Sequence, residues 1–185
     1  MAFPAFLDTC VLYPAALTDL LLRIAEHEVY RPHWSPDVVA ELQRNLAKVV
    51  TEEAARRRID AMCRAFPEAS VTGYESLVDG MTCDPKDRHV LAAATHSGCQ
   101  VIVTANVKDF PAESLAPYDM TVVTPDDFLL DQLDLYPGAV RSALVGQCQD
   151  ARRPQLTRST LFSSLERAGV PRFVAEARRK VSFVD

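Results

Sequence analysis

Five carboxylates and three short polar side chains stand where the secondary structure of this chain should start or stop: Asp8, Glu41, Asp84, Asp87 and Asp109, with Thr9, Thr104 and Asn106. Asp8 directly follows the apolar run Phe3–Leu7. Thr104, Asn106 and Asp109 follow the β-branched run QVIVT. Asp84 and Asp87 open the helix that feeds that run, and Glu41 lies one turn into a helix after another short strand. Three or four carboxylates at one edge repel one another unless a cation sits among them. Oxygen donors alone suit a hard divalent ion such as Mg²⁺, which keeps several waters.

Each acid also has a structural role open to it. Asp84 is placed to cap a helix, and Asp87 is placed to favour the positive end of the same helix. Glu41 fits a solvated helix surface, and Asp109 before Phe110-Pro111 fits a turn. Asp8 is different, because a carboxylate that ends a buried strand must be hydrogen-bonded or coordinated.

The elements that must position these groups are legible from periodicity and caps. Phe3–Leu7 reads as a buried strand. Leu17, Leu20, Leu21 and Ile24 recur at helical spacing within 15–28. Val29–Pro32 reads as a second strand. Ser35-Pro36 starts a helix reaching about Val49, and Thr51 caps another through about Arg64. Ala69–Thr72 is expected as a further strand. Asp84-Pro85 opens a helix that Gly98 closes, QVIVT is a buried parallel strand, and Thr121–Val123 is another. Thr124-Pro125 starts a helix with Asp127 as its capping-box acid. Strands alternating with helices predict an α/β fold, with helices on both faces of a parallel sheet. Leu135-Tyr136-Pro137-Gly138 interrupts the pattern. Beyond it Thr157 caps a helix that Gly169 ends, and Pro171–Val181 forms one more.

Composition narrows the class. At 185 residues, 48% hydrophobic and 24% charged, the chain can build a full core without cross-links. Its five cysteines are odd in number and form no CxxC pair, which disfavours a zinc knuckle or a disulfide framework and fits a reducing compartment. The N-terminus lacks the pattern of a signal peptide, and no apolar run reaches membrane-spanning length, so the expected location is cytoplasmic. Net charge is −5, but residues 1–138 carry 11 basic and 21 acidic side chains, whereas 139–185 carry 9 and 4. The expected organisation is therefore an acidic domain over 1–138 and a basic helical extension over 139–185. Arg152, Arg153, Arg158, Arg178, Arg179 and Lys180 of that extension are placed either to meet phosphate or to form a solvated surface.

Four pieces in order, FLDTCVLYP, VVAELQRN, DPKDRHVLAAATHSG and VIVTANVKDFP, make the chain resemble the PIN-domain family, particularly VapC-like toxin ribonucleases. The resemblance covers about residues 4–130. It implies a three-layer α/β/α PIN-like fold around a parallel sheet, with the C-terminal helices added to it. It also implies an acidic Mg²⁺ (or Mn²⁺) site that hydrolyses RNA phosphodiester bonds, and a cytoplasmic chain with no membrane partner. An antitoxin protein and a homodimer are the partners it brings into view.

By resemblance Asp8 is the first acid and Thr9 the hydroxyl residue after it. Glu41 is the helical glutamate. Asp87 begins the acid–x–x–aliphatic–x–Ala pattern, with Asp84 auxiliary. The family often carries an acid two residues after the strand-end threonine, and here that residue is Asn106, with Asp109 able to supply the charge. The implied metal ligands are Asp8, Asp87 and Asp109, and the implied catalytic set adds Glu41 and Asn106. Thr9 and Thr104 orient ligands or a phosphate oxygen. Two other readings fit the residues. One is a non-catalytic PIN-like scaffold, which Asn106 permits. The other is an aspartate-nucleophile phosphatase using Asp8, with Cys10 where such enzymes place a second acid and with Lys86 and Lys108 nearby.

Overall fold

The computed structural model describes residues 2–151 and 156–181. Phe3–Leu7 forms β1, Thr9–Leu12 the short α1 and Ala15–Glu26 α2, followed by β2 over Tyr30–His33. Next come α3 (Pro36–Leu46), α4 (Glu52–Ala65), α5 (Arg88–His96) and β3 (Val101–Val103). The rest is α6 (Ala112–Leu115), β4 (Thr121–Val123), α7 (Pro125–Leu135), α8 (Pro137–Asp150), α9 (Arg158–Arg167) and α10 (Pro171–Lys180).

The strands pair in parallel in the order β2-β1-β3-β4. Ala5, Phe6 and Leu7 lie opposite Val101, Ile102 and Val103. The chain winds outward from β1 to β2, then crosses back over β1 to reach β3. Winding therefore reverses between β1 and β3, and the loops leaving their carboxyl ends diverge into a crevice, the place where open α/β sheets bind ligands. Asp8 and Thr104 are the first residues past these two strands. An Asp8 N–H bond to the Val103 carbonyl (3.1 Å) ties the strand ends together.

Burial explains the layering. Ala5, Phe6, Leu7, Ile102 and Val103 are fully buried, as parallel strands covered on both faces must be. Helix α5 packs on β1 and β3. Its run Val90-Leu91-Ala92-Ala93-Ala94 is entirely buried, and three alanines let the backbone approach the sheet closely. Helix α2 buries Leu17, Leu20, Leu21 and Ile24, the four residues its periodicity picks out. The expected caps form: Ser35 Oγ accepts from Val38 N (3.2 Å), Thr51 Oγ1 from Ala54 N (3.2 Å), Thr124 Oγ1 from Asp127 N (3.1 Å) and Thr157 Oγ1 from Thr160 N (3.2 Å).

Three expectations need correction. Ala69–Thr72 is not a strand. It contributes one parallel bridge between Ser70 and Trp34 and then turns at Gly73, whose φ of +83° ends extended pairing. The helix after Ser35 stops at Leu46 rather than Val49, because the β-branched Val49-Val50 leads into Thr51, which caps the next helix. The helix after Asp84-Pro85 starts later, at Arg88, and Pro85–Asp87 forms a 3₁₀ turn instead. The interruption at Leu135–Gly138 is the joint between α7 and α8, with Pro137 in the first turn of α8.

The C-terminal helices dock through specific polar contacts. Gln147 Nε2 donates to the Ala16 carbonyl (3.0 Å), and Arg23 on α2 pairs with Asp150 (2.8 Å). Gly146 makes room for that arginine, because a Cβ there would lie 2.9 Å from its guanidinium. The buried Asp126 carboxylate of α7 accepts from the backbone N–H groups of Arg172 (3.2 Å) and Phe173 (2.8 Å), capping α10 across space. Arg172, Arg178, Arg179 and Lys180 pair with Asp127, Glu166, Glu176 and Asp134 respectively. Arg158 and Arg178 lie over the Phe162 ring. Arg152 and Arg153 fall outside the described residues. No described helix is long and apolar enough to cross a membrane.

Candidate active site

Asp8 is held by three donors. Its Oδ1 accepts from Thr9 N (2.6 Å), and its Oδ2 accepts from Thr104 Oγ1 (2.7 Å) and Cys10 Sγ (3.1 Å). Thr104 is itself fixed, since its Oγ1 accepts from Asn106 N (3.0 Å). Its hydroxyl proton is therefore committed to Asp8, so Thr104 orients the carboxylate. Thr9 reaches the other way: its Oγ1 donates to Glu41 Oε2 (3.1 Å), which draws the half-buried Glu41 on α3 toward the same edge.

Cys10 is a site residue whose part the sequence leaves open. Its sulfur accepts from Ala105 N (3.2 Å) and touches Thr104 Oγ1 (3.3 Å), so it bridges the ends of β1 and β3. Burial, then the neighbouring Asp8 charge, pushes its thiol up to about 12. The group stays protonated and serves as a donor to Asp8, not as a base. The available signal was its place two residues past Asp8, at the start of a helix beside a strand end.

The second acid comes from the 3₁₀ turn. Asp84 caps that turn, its Oδ1 accepting from Lys86 N (3.1 Å). Asp84 N–H bonds the Asp109 carbonyl (3.0 Å), which joins this turn to the loop after β3. Asp87 is buried, and its Oδ2 has no hydrogen-bond partner. Burial first, then the charges of Asp8, Asp109 and Asp84, raise its carboxyl from the ordinary 3.8 to about 6, against the lowering effect of Lys86. Asp109 carries a Lys86 ammonium on its Oδ2 (3.0 Å), and the same ammonium stands 3.8 Å from Asp87 Oδ2. Asn106 is exposed at the mouth.

The fold therefore brings Asp8, Thr9, Glu41, Asp84, Asp87, Thr104, Asn106 and Asp109 to one edge. Among the described residues, no three carboxylate, thiol or imidazole groups converge closely enough to hold an ion. The donor set nevertheless fits a hard cation. Asp8 is oriented by three donors, Asp87 offers a buried oxygen that accepts no hydrogen bond, and neighbouring negative charge already strains its ionised form.

The cap role of Asp84 predicts a separable effect. Asp84→Ala should lose about 1 kcal/mol in chemical denaturation and Asp84→Ser should recover it, because serine also caps. RNA cleavage by the serine variant close to wild type fits a cap alone. A stable but inactive serine variant would place Asp84 among the ligands.

Comparison with known proteins decides the family. The model of the PIN domain matches residues 4–108, more than half of the chain. The chain belongs to the PIN-domain family. A second model, of the VapC50 C-terminal domain, matches residues 125–179, so α7 through most of α10 also have a described counterpart. A protein of Mycobacterium tuberculosis named "Putative ribonuclease VapC50" is 46% identical over 107 residues, which is 58% of this chain and 63% of that relative. The match thus spans less than two thirds of the relative's length. No solved structure matches the chain.

Proposed function

We propose that this PIN-domain chain is a divalent-metal-dependent ribonuclease of the VapC type, acting as the toxin of a toxin–antitoxin pair. The observation that carries the reading is the pairing of an oriented Asp8 with a buried Asp87 oxygen that accepts no hydrogen bond, at the sheet's switch point. The likeness to a protein named as a ribonuclease supports RNA as the substrate, and an antitoxin and a homodimer are proposed partners. The nuclease domain is proposed to span 1–138, with 139–185 as its helical extension.

Asp8 and Asp87 would hold the ion, with Asp109 beside them and paired to Lys86. The ion, Mg²⁺ or Mn²⁺, supplies a lowered pKa for water and neutralises charge on the phosphodiester. Thr9 holds Glu41 where it can take the proton of the attacking water. Thr104 and Cys10 lock Asp8 in one rotamer, so little reorganisation accompanies the reaction. Asn106, exposed at the mouth, offers an amide to a phosphate oxygen. The ion pairs of Arg172, Arg178, Arg179 and Lys180 support a packing role for these extension residues. Incubation with single-stranded RNA tests the reading: Mg²⁺ or Mn²⁺ should give cleavage, and a chelator should stop it.

A further inference from the structure

We propose that Lys86 is the site's built-in second cation, occupying the position beside Asp109 that a second divalent ion would otherwise take and presenting its ammonium to the substrate phosphate. This inference rests on the metal reading above. The Lys86 ammonium lies 3.0 Å from Asp109 Oδ2 and 3.8 Å from Asp87 Oδ2, so a positive charge already stands on the Asp109 side of the acidic edge. Asp8 and Asp87 are then the carboxylates left to a divalent ion, a set suited to one hard ion that keeps several waters.

The turn that carries Lys86 explains why it reaches this place. Pro85–Asp87 is 3₁₀, and Asp84 caps it from the first position. Lys86 therefore sits between the two acids of Asp84-Pro85-Lys86-Asp87, and its side chain bridges to a third acid 23 residues away. The two carboxylates it faces are 11% and 13% exposed in their side chains, whereas Lys86 is 63% exposed. One end of the contact is thus fixed inside the protein and the other is open to solvent. Of its three N–H donors one is directed at Asp109, and an ammonium with free donors binds phosphate as a point charge. A phosphodiester approaching Asp8 and Asp87 meets one bound ion and one ammonium instead of two ions.

Mn²⁺ binding to the full chain decides between the two arrangements, by calorimetry for stoichiometry and by electron paramagnetic resonance for spin coupling between ions. Wild type should bind one Mn²⁺ without coupling. Lys86→Gln should bind one more than wild type, with coupling, because Asp109 is freed. Lys86→Arg should behave as wild type. In cleavage, Lys86→Gln should lose tenfold or more in kcat at low Mn²⁺ and regain much of it as Mn²⁺ rises, which a merely structural residue would not do. Two coupled ions in wild type, or an equal number in wild type and Lys86→Gln, overturns the inference while leaving the metal reading standing. No Mn²⁺ bound to either protein overturns both.

Discussion

Asp87→Asn should abolish RNA cleavage and at the same time make the metal-free protein more stable at neutral pH. Both effects come from one oxygen. The Asp87 carboxyl is buried beside other negative charge and has its pKa raised to about 6. A carboxyl that binds its proton more tightly in the folded state favours folding at low pH. That stability is fully present below about pH 4 and is lost as pH rises through about 6, a difference of about 2–3 kcal/mol. Melting in chelator should therefore show wild type weakening over this interval, with Asp87→Asn nearly flat and above wild type at pH 7. Added Mn²⁺ should reverse the order, because the ion stabilises only the protein that binds it. Asp8→Asn should be equally inactive but should gain no stability. Its carboxylate already accepts three hydrogen bonds, and an amide nitrogen facing Thr104 and Cys10 loses part of them, at about 1–2 kcal/mol. Substantial cleavage by either variant would remove that residue from the site.

Asp126→Ala should lose about 2–4 kcal/mol, the largest stability effect expected of a single polar change outside the site. Asp126 is 7% exposed and accepts the two N–H groups that open α10. Removing it leaves two donors unpaired at a partly buried helix N-terminus and takes away the charge that complements the helix dipole. Phe162 and Leu165 of α9 and Phe173 and Val174 of α10 are fully buried and depend on that docking. Asp126→Asn keeps one acceptor and should lose about half as much. Urea denaturation followed by far-ultraviolet circular dichroism checks both variants. A change under about 0.5 kcal/mol in the alanine variant would show that apolar packing alone holds the extension.

The legible parts of this protein are those that local chemistry decides. The β-branched Val101-Ile102-Val103 and the apolar Phe3–Leu7 declare buried parallel strands, and Ser35, Thr51, Thr124 and Thr157 declare helix starts, all found as expected. Asp8 was the clearest candidate for the same reason, since the end of a buried strand leaves a carboxylate few alternatives. What could not be read depends on contacts between distant segments. Asp84 and Asp87 fit a helical first turn equally well, and only the contact of Asp84 with Asp109 reveals a 3₁₀ turn carrying Lys86 into the loop after β3. The Ala69–Thr72 segment has strand-like residues, but its neighbour Gly73 and a single bridge to Trp34 limit it. The positive charge of 139–185 was visible, yet its pairing with Asp127 and Asp134 of α7 and Glu166 of α9 was not, because ion pairs between helices follow from docking and not from composition.

The products of RNA cleavage test the central claim most directly. A defined single-stranded RNA is incubated with wild type in Mg²⁺ or Mn²⁺, in chelator, and with Asp8→Asn or Asp87→Asn, and the new ends are identified by mass spectrometry. Water activated at a cation held by Asp8 and Asp87 should give linear phosphate and hydroxyl ends, only with metal and only with both aspartates. Cleavage that persists in chelator, or ends carrying 2′,3′-cyclic phosphate, would mean that the RNA's own 2′-hydroxyl is the nucleophile and that the acidic edge is not the centre of the chemistry.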